Sequence, residues 1–166
     1  MDLHNEIKLV PIELKSKNIL ENLISIYLHD LSEFTSDLKV NQDGKFEYEG
    51  LELYFAKDEL KPLFIYLKDD IVGFILLNTG KYVPMDIDFS VHEFFVLKSY
   101  RRIGIGVKAV KELFDKYKGK CRIEQLADNK RAICFWKSIY KMQGMDFIET
   151  IEIIDDLECN IQVLDV

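Results

Sequence analysis

The sequence predicts a single α/β domain built around a mixed sheet. Strand-like and helix-like segments alternate along the chain, with no linker, repeat or low-complexity stretch between them. The helix-like segments carry apolar residues at steps of three and four, so each buries one face. At 166 residues and 48% hydrophobic, the chain suffices for one core and is short for two, so residues 1–166 read as one domain.

IKLVPIEL (Ile7–Leu14) reads as a first strand, and Pro11, with no N–H to give a ladder, puts it at an edge. Leu20, Leu23, Ile24, Tyr27, Leu28, Leu31 and Phe34 then mark an amphipathic helix, with Ser16 or Asn18 as its cap. NQDGKFEYEG is a loop rich in turn formers. LFIYLKDDIVGFILLN is a hairpin turning at Lys68–Asp70, and NTGKYVP is a connection. DFSVHEFFVL (Asp88–Leu97) concentrates β-branched and aromatic residues, as a strand does. From Gly106 onward, Val107, Val110, Leu113, Phe114 and Tyr117 share a helical face, and Gly119 ends the helix. CRIEQL is a strand, and Asn129–Met142 a helix burying Ala132, Phe135, Trp136, Ile139 and Tyr140. MDFIETIEII and CNIQVLDV are the last two strands.

The net charge of −7 argues against nonspecific nucleic-acid binding, which draws on counterion release by a basic surface, and favours a cationic partner. The three cysteines are odd in number and fall in no metal-ligand spacing, so no metal is expected. They read as reduced, mostly buried thiols of an intracellular protein; Cys134 is placed in the core, since no base adjoins it. No signal-peptide core and no bilayer-length apolar run is visible, so a soluble cytoplasmic domain without a membrane partner is expected.

YRRIGIGVKA (Tyr100–Ala109) is the stretch that carries chemistry. Gly104 to Ala109 fits G-x-G-x-x-A, and Glu124 stands twenty residues past Gly104, where a dinucleotide fold keeps its ribose-binding acid. Yet seven residues, Leu97 to Ile103, separate Val96 from Gly104, whereas a dinucleotide turn follows its strand at once. No Gly-Lys-Ser/Thr follows, which removes a P-loop. What remains is a strand, a basic loop, two glycines and a helix start. Backbone N–H groups from Arg102 to Val107 then face a concavity at the positive end of the helix dipole, with Arg101 and Arg102 as added donors. That suits a pyrophosphate; a glycine turn with solvated arginines is the plain alternative.

Arg101-x-x-Gly104-x-Gly106 matches the Q/R-x-x-G-x-G/A motif of the GCN5-related N-acetyltransferases (GNAT), and FFVLKSYRRIGIG resembles that family's strand, loop and helix without a gap. NKRAICFWKSIY resembles its second motif, with Asn129, Ala132 and Phe135 at matching positions. The likeness runs in element order from Ile7 to the C-terminus, and YLHDLSEF (Tyr27–Phe34) resembles a group of uncharacterised bacterial acetyltransferases. It implies a GNAT-like, largely antiparallel sheet flanked by helices. It also implies acetyl-CoA as cosubstrate and direct acetyl transfer to an amine of a small molecule, polyamine or peptide. The cofactor residues carried over are Phe95, Val96, Arg101, Arg102, Ile103, Gly104, Ile105, Gly106, Val107, Asn129, Phe135 and Trp136. A backbone N–H near Phe95 or Val96 is then the oxyanion donor; Asn129 contacts the pantetheine arm, caps its helix, or does both.

An ammonium must lose a proton before it attacks, so a base or water relay is required. In polyamine acetyltransferases the related stretch is Glu-Asp-Phe-Phe-Val, which makes Glu93 the candidate for holding the amine or relaying its proton. A solvent-facing or salt-bridged strand carboxylate is the alternative. His92 has a suitable intrinsic pKa, but neighbours on a strand face opposite ways, so one of the two faces the cleft unless a bulge intervenes. The family's last-helix tyrosine, which protonates the leaving thiolate, is replaced by Trp136; Tyr140, one turn on, is its candidate substitute, with a core tyrosine as the alternative. The resemblance also places acceptor contacts on the first helix, here Tyr27, His29, Asp30 and Glu33, and leaves a homodimer open. A non-catalytic acyl-CoA-binding module is the second reading that the missing tyrosine allows.

Overall fold

The computed structural model describes residues 6–166, and its strands join one seven-stranded sheet. β1 (Ile7–Pro11), β2 (Leu60–Leu67), β3 (Asp70–Thr79) and β4 (Phe89–Val96) run antiparallel to one another in chain order. β5 (Lys120–Leu126) lies parallel to β4, while β6 (Phe147–Ile154) and β7 (Leu157–Asp165) form a hairpin whose β7 inserts beside β5. The sheet is therefore mixed and largely antiparallel, and Pro11 stands on an edge strand as its missing donor requires. Strand β1 stops at Pro11 rather than Leu14, because Leu14–Ser16 turn into a short 3₁₀ segment ahead of the first helix.

Three helices cover the two faces. α1 (Lys17–Leu31) lays Leu20, Ile24 and Leu28 against Phe64, Phe74, Leu76 and Phe95. α2 (Ile105–Lys116) makes the crossover that a parallel pair needs, and with α3 (Lys130–Gln143) it buries Val110, Leu113, Trp136 and Ile139 against Ile75, Leu77, Val91 and Ile123. Asn129 caps α3: its Oδ1 accepts from the Ala132 N–H at 3.1 Å. Cys121 and Cys159 are buried, but Cys134 is exposed, because it falls outside the Trp136–Ile139–Tyr140 stripe of α3. Among the described residues no helix is long and apolar enough to cross a membrane.

Tyr140 lies in the core. Its hydroxyl donates to Gln162 Oε1 at 2.8 Å, within a buried network that also joins Gln125, Asn160 and Glu149. Lys137 donates to Glu149 at 2.8 Å, and that bond, with those from Gln162 and Asn160, draws the Glu149 carboxyl down to about 2.

Two register breaks shape the centre of the sheet. In β3 the pairing with β2 steps from Ile65↔Gly73 to Tyr66↔Ile71, leaving Val72 as an extra residue. In β4 the pairing with β3 steps from Leu76↔Glu93 to Leu77↔Val91, leaving His92 as the extra residue. Each is a β-bulge, which reverses the facing of every side chain beyond it. Gly73 is required where it stands, since a Cβ there would lie 2.0 Å from the Phe95 carbonyl oxygen. Gly73→Ala must therefore push β4 away from β3. Thermal and denaturant unfolding should show a loss of about 2 kcal/mol or more, the upper range for overpacking.

Candidate functional site

β4 and β5 hold together over only three residue pairs, Phe89↔Cys121, Ser90↔Arg122 and Val91↔Ile123. Beyond Val91 they part, and the second half of β4 loses its neighbour on that side. The Leu97 N–H donates to the Val72 carbonyl at 2.9 Å, toward β3. The two-residue period of a strand turns Phe95 the same way and leaves the main-chain groups of Phe94 and Val96 facing the gap. Arg101 Nε, donating to the Val96 carbonyl at 2.6 Å, lies on that open side. Of the two residues expected near an oxyanion donor, Val96 has its N–H in the gap, and Phe95 does not.

Two cavities meet at this opening. The first, of about 600 Å³, lies by the glycine loop and is lined by Phe94, Val96, Lys98, Arg101, Arg102, Gly104, Gly106, Val107, Asn129, Arg131, Phe135 and Trp136. Gly104 takes φ 85°, a left-handed turn that delivers the chain into α2. The first bond inside α2 runs from the Lys108 N–H to the Gly104 carbonyl, so the N–H groups of Ile105, Gly106 and Val107 have no acceptor within the helix. These donors and the helix dipole make a site for an anion. Gly106 keeps α3 close: a Cβ there would meet the Phe135 ring at 3.0 Å. Ile103 is 61% exposed and Ile105 buried, and neither side chain lines the cavity.

Ion pairs from the end of α1 close over the same cavity. Asp30 meets Lys98 at 3.0 Å and Arg101 at 2.7 Å, and Glu33 pairs with Arg131. Burial alone would raise the Asp30 carboxyl, but the hydrogen bonds from Arg101 and Lys98 outweigh it and hold it below the usual range.

The second cavity, of about 640 Å³, opens between the parted strands, with Val91–Phe94 of β4 and Ile123–Leu126 of β5 in its wall. Its wall carries the carboxylates of Asp37, Glu47, Glu49, Glu93, Glu124 and Asp155, and no lysine or arginine. The His92 bulge turns Glu93 onto the α1 face, where the Tyr27 hydroxyl donates to Oε2 and the Tyr48 hydroxyl to Oε1 at 3.0 Å. The Glu93 side chain is 15% exposed, against 38% for His92, whose Nε2 stands 4.0 Å from Glu93 Oε1. Burial raises the Glu93 carboxyl above its ordinary range, while His92 and the two tyrosines pull the other way. Burial, reinforced by the Glu93 charge, drives the Tyr27 and Tyr48 hydroxyls upward, so both stay protonated. Tyr27, Leu31, Phe94, Asn129, Ala132 and Trp136 line both cavities and mark where they meet.

The structure thus gathers Tyr27, His92 and Glu93 at the second cavity and most of the glycine-loop residues at the first. Four residues expected as acid or acceptor contacts fall elsewhere. Tyr140 lines neither cavity, because its hydroxyl is committed to Gln162 in the core. His29 lies on the exposed side of α1 with its ring 6.2 Å from that of Phe46 and reaches neither cavity. Asp30 and Glu33 face the glycine-loop cavity, paired with Lys98, Arg101 and Arg131, rather than the acidic one. Tyr48, Asp37, Glu47 and Glu49 escaped the sequence reading: they come from the turn-rich stretch between α1 and β2, whose one visible signal is its density of acids.

Comparison with known proteins agrees with this architecture. The family model for the acetyltransferase (GNAT) family matches residues 23–139. An acetyltransferase from Thermus thermophilus superposes with TM-score 0.71 at 14% identity, over 98% of this chain and 99% of that one. The ribosomal-protein-S18-alanine N-acetyltransferase from Escherichia coli gives 0.61 at 13% identity, over 97% and 94%. Arabidopsis thaliana Naa50, solved with the bisubstrate analogue CoA-Ac-MVNAL, gives 0.60 at 18% identity, over 95% and 97%. A search of curated protein sequences finds no significant match. Because Tyr140 sits in the core, Tyr140→Phe should lower stability by about 1 kcal/mol, the weight of one hydrogen bond, and leave turnover unchanged in a steady-state assay.

Proposed function

We propose that this chain, which belongs to the GNAT family of acetyltransferases, acetylates the amine of a cationic small molecule, polyamine or peptide, using acetyl-CoA as donor. The observation that carries this reading is the pairing of two cavities of opposite character that meet where β4 parts from β5. One offers helix N–H groups and cations to a pyrophosphate; the other offers carboxylates to an ammonium. Neighbours of the same fold support a reading of acetyl transfer to an amine. Naa50 was solved with an analogue that joins CoA to a peptide, and the S18 enzyme is an alanine N-acetyltransferase.

In this reading Arg101, Arg102 and the N–H groups of Ile105, Gly106 and Val107 hold the pyrophosphate. Asn129 can serve the pantetheine arm through its amide nitrogen, since Oδ1 is engaged in capping α3. Acetyl-CoA supplies the activated acetyl group. The Val96 N–H, fixed in the gap before any ligand arrives, is placed to stabilise charge on the acetyl oxygen. Glu93 attracts the ammonium and takes its proton. Its raised pKa suits a base working closer to neutrality than an ordinary carboxylate.

The direct test is a CoA-release screen over amines, polyamines, aminoglycosides and peptides, with product masses checked. Stabilisation by acetyl-CoA without CoA release for any amine would favour a non-catalytic acyl-CoA-binding module. Failure to bind acetyl-CoA would overturn both readings. Gly104→Glu should abolish acetyl-CoA binding in calorimetry, because it strains the left-handed turn and adds an anion beside the phosphate site. Glu93→Gln should lower kcat by about 100-fold with little change in acetyl-CoA affinity. Wild-type kcat/KM should rise with pH through the raised Glu93 pKa, as the carboxyl deprotonates, and Glu93→Gln should lose that limb. Equal losses of turnover and affinity would make Glu93 structural.

A further inference from the structure

We propose that the Tyr27 hydroxyl donates the proton to the departing CoA sulfur and is reprotonated by Glu93; this rests on the amine-acetylation reading above. Of the six residues lining both cavities, Tyr27, Leu31, Phe94, Asn129, Ala132 and Trp136, Tyr27 alone carries an ionisable group. Its hydroxyl already bonds to Glu93 Oε2. Tyr48 bonds to the same carboxyl through Oε1 but lines only the acidic cavity. The other donors are ill-suited: the indole of Trp136 is no useful acid near neutral pH, and the Tyr140 hydroxyl is held in the core by Gln162. Tyr27 is fixed in place by Phe74 and Phe95, with ring centroids at 5.7 and 5.6 Å.

The protons balance without an outside acid. Glu93 first passes the ammonium's own proton to solvent. Then, as the N–C bond forms and the C–S bond breaks, the neutral amine's N–H proton passes to Glu93. The Glu93 proton moves to the Tyr27 oxygen while the Tyr27 proton goes to sulfur. The net change carries one proton from nitrogen to sulfur and returns Glu93 and Tyr27 to their starting states. Alone, the Tyr27 hydroxyl, which burial and the Glu93 charge hold well above an ordinary phenol, would protonate a thiolate uphill. Coupled to a carboxyl, which is the stronger acid, the transfer runs downhill.

The test compares Tyr27→Phe with Tyr48→Phe, each of which removes one hydroxyl from Glu93, after thermal stabilisation by acetyl-CoA has shown that both are folded. With an accepted amine, Tyr27→Phe should lower kcat by about 100-fold at unchanged KM for acetyl-CoA. Tyr48→Phe should cost no more than about fivefold, the weight of one hydrogen bond. A second readout needs no acceptor: the thiol of bound CoA is titrated through the ultraviolet absorbance of its thiolate. Its pKa should rise by about one unit in Tyr27→Phe relative to wild type and hold steady in Tyr48→Phe. Equal kcat losses in the two variants, or a bound thiol pKa indifferent to Tyr27→Phe, would overturn the proposal. If the wild type acetylates no amine, the functional reading fails, and the thiol titration still decides whether Tyr27 reaches the sulfur.

Discussion

The site depends on the early parting of β4 from β5. A parallel pair that stayed in register would satisfy every main-chain group on both strands and leave no place for a ligand. Here three residue pairs hold the strands together, and the Val96 N–H and carbonyl are left facing a gap. Exposed strand donors usually invite another strand. In this fold the glycine loop, α3 and the end of α1 surround them, so the open edge lines a cavity. The bulge at His92 acts with the gap. It turns Glu93 toward Tyr27 and Tyr48, while Val91 and Phe94 keep facing the α2–α3 layer.

Charge is divided along the same line. Lys98, Arg101, Arg102 and Arg131 stand on the glycine-loop side, and six carboxylates stand on the other. The overall charge of −7 hides this separation. Asp30 and Glu33 are the exceptions, crossing from α1 to pair with Lys98, Arg101 and Arg131. Those pairs keep the cations ordered, and a phosphate bound as proposed would compete with two carboxylates for them. Partly exposed pairs of this kind are worth little individually, so the exchange costs little.

The departure at Trp136 alters how the chemistry is distributed. An indole at that point packs edge-on against Phe94 and Phe135 and closes the floor where the cavities meet. It brings no acid. The ionisable hydroxyl at the junction comes instead from α1, on the opposite face of the sheet, and is tied to Glu93, the carboxylate proposed to serve the acceptor. In the proposed mechanism, acid and base functions are linked through that one hydrogen bond.

The sequence by itself determined the order of the elements, the edge position of the first strand and the glycine loop. Each rests on a local rule: apolar periodicity, a proline without a donor, a left-handed glycine before a helix. It also exposed Glu93, through its neighbours in HEFFV. Only the tertiary structure decided how these parts meet. That His92 and Glu93 both line the acidic cavity turned on a one-residue bulge, which is a property of two strands together. Tyr140 was withdrawn to the core by Gln162, a residue on a strand after it in the chain. Tyr48 and the acids around it reached the site from a loop without periodicity, because contacts across the sheet, rather than local pattern, hold that loop in place.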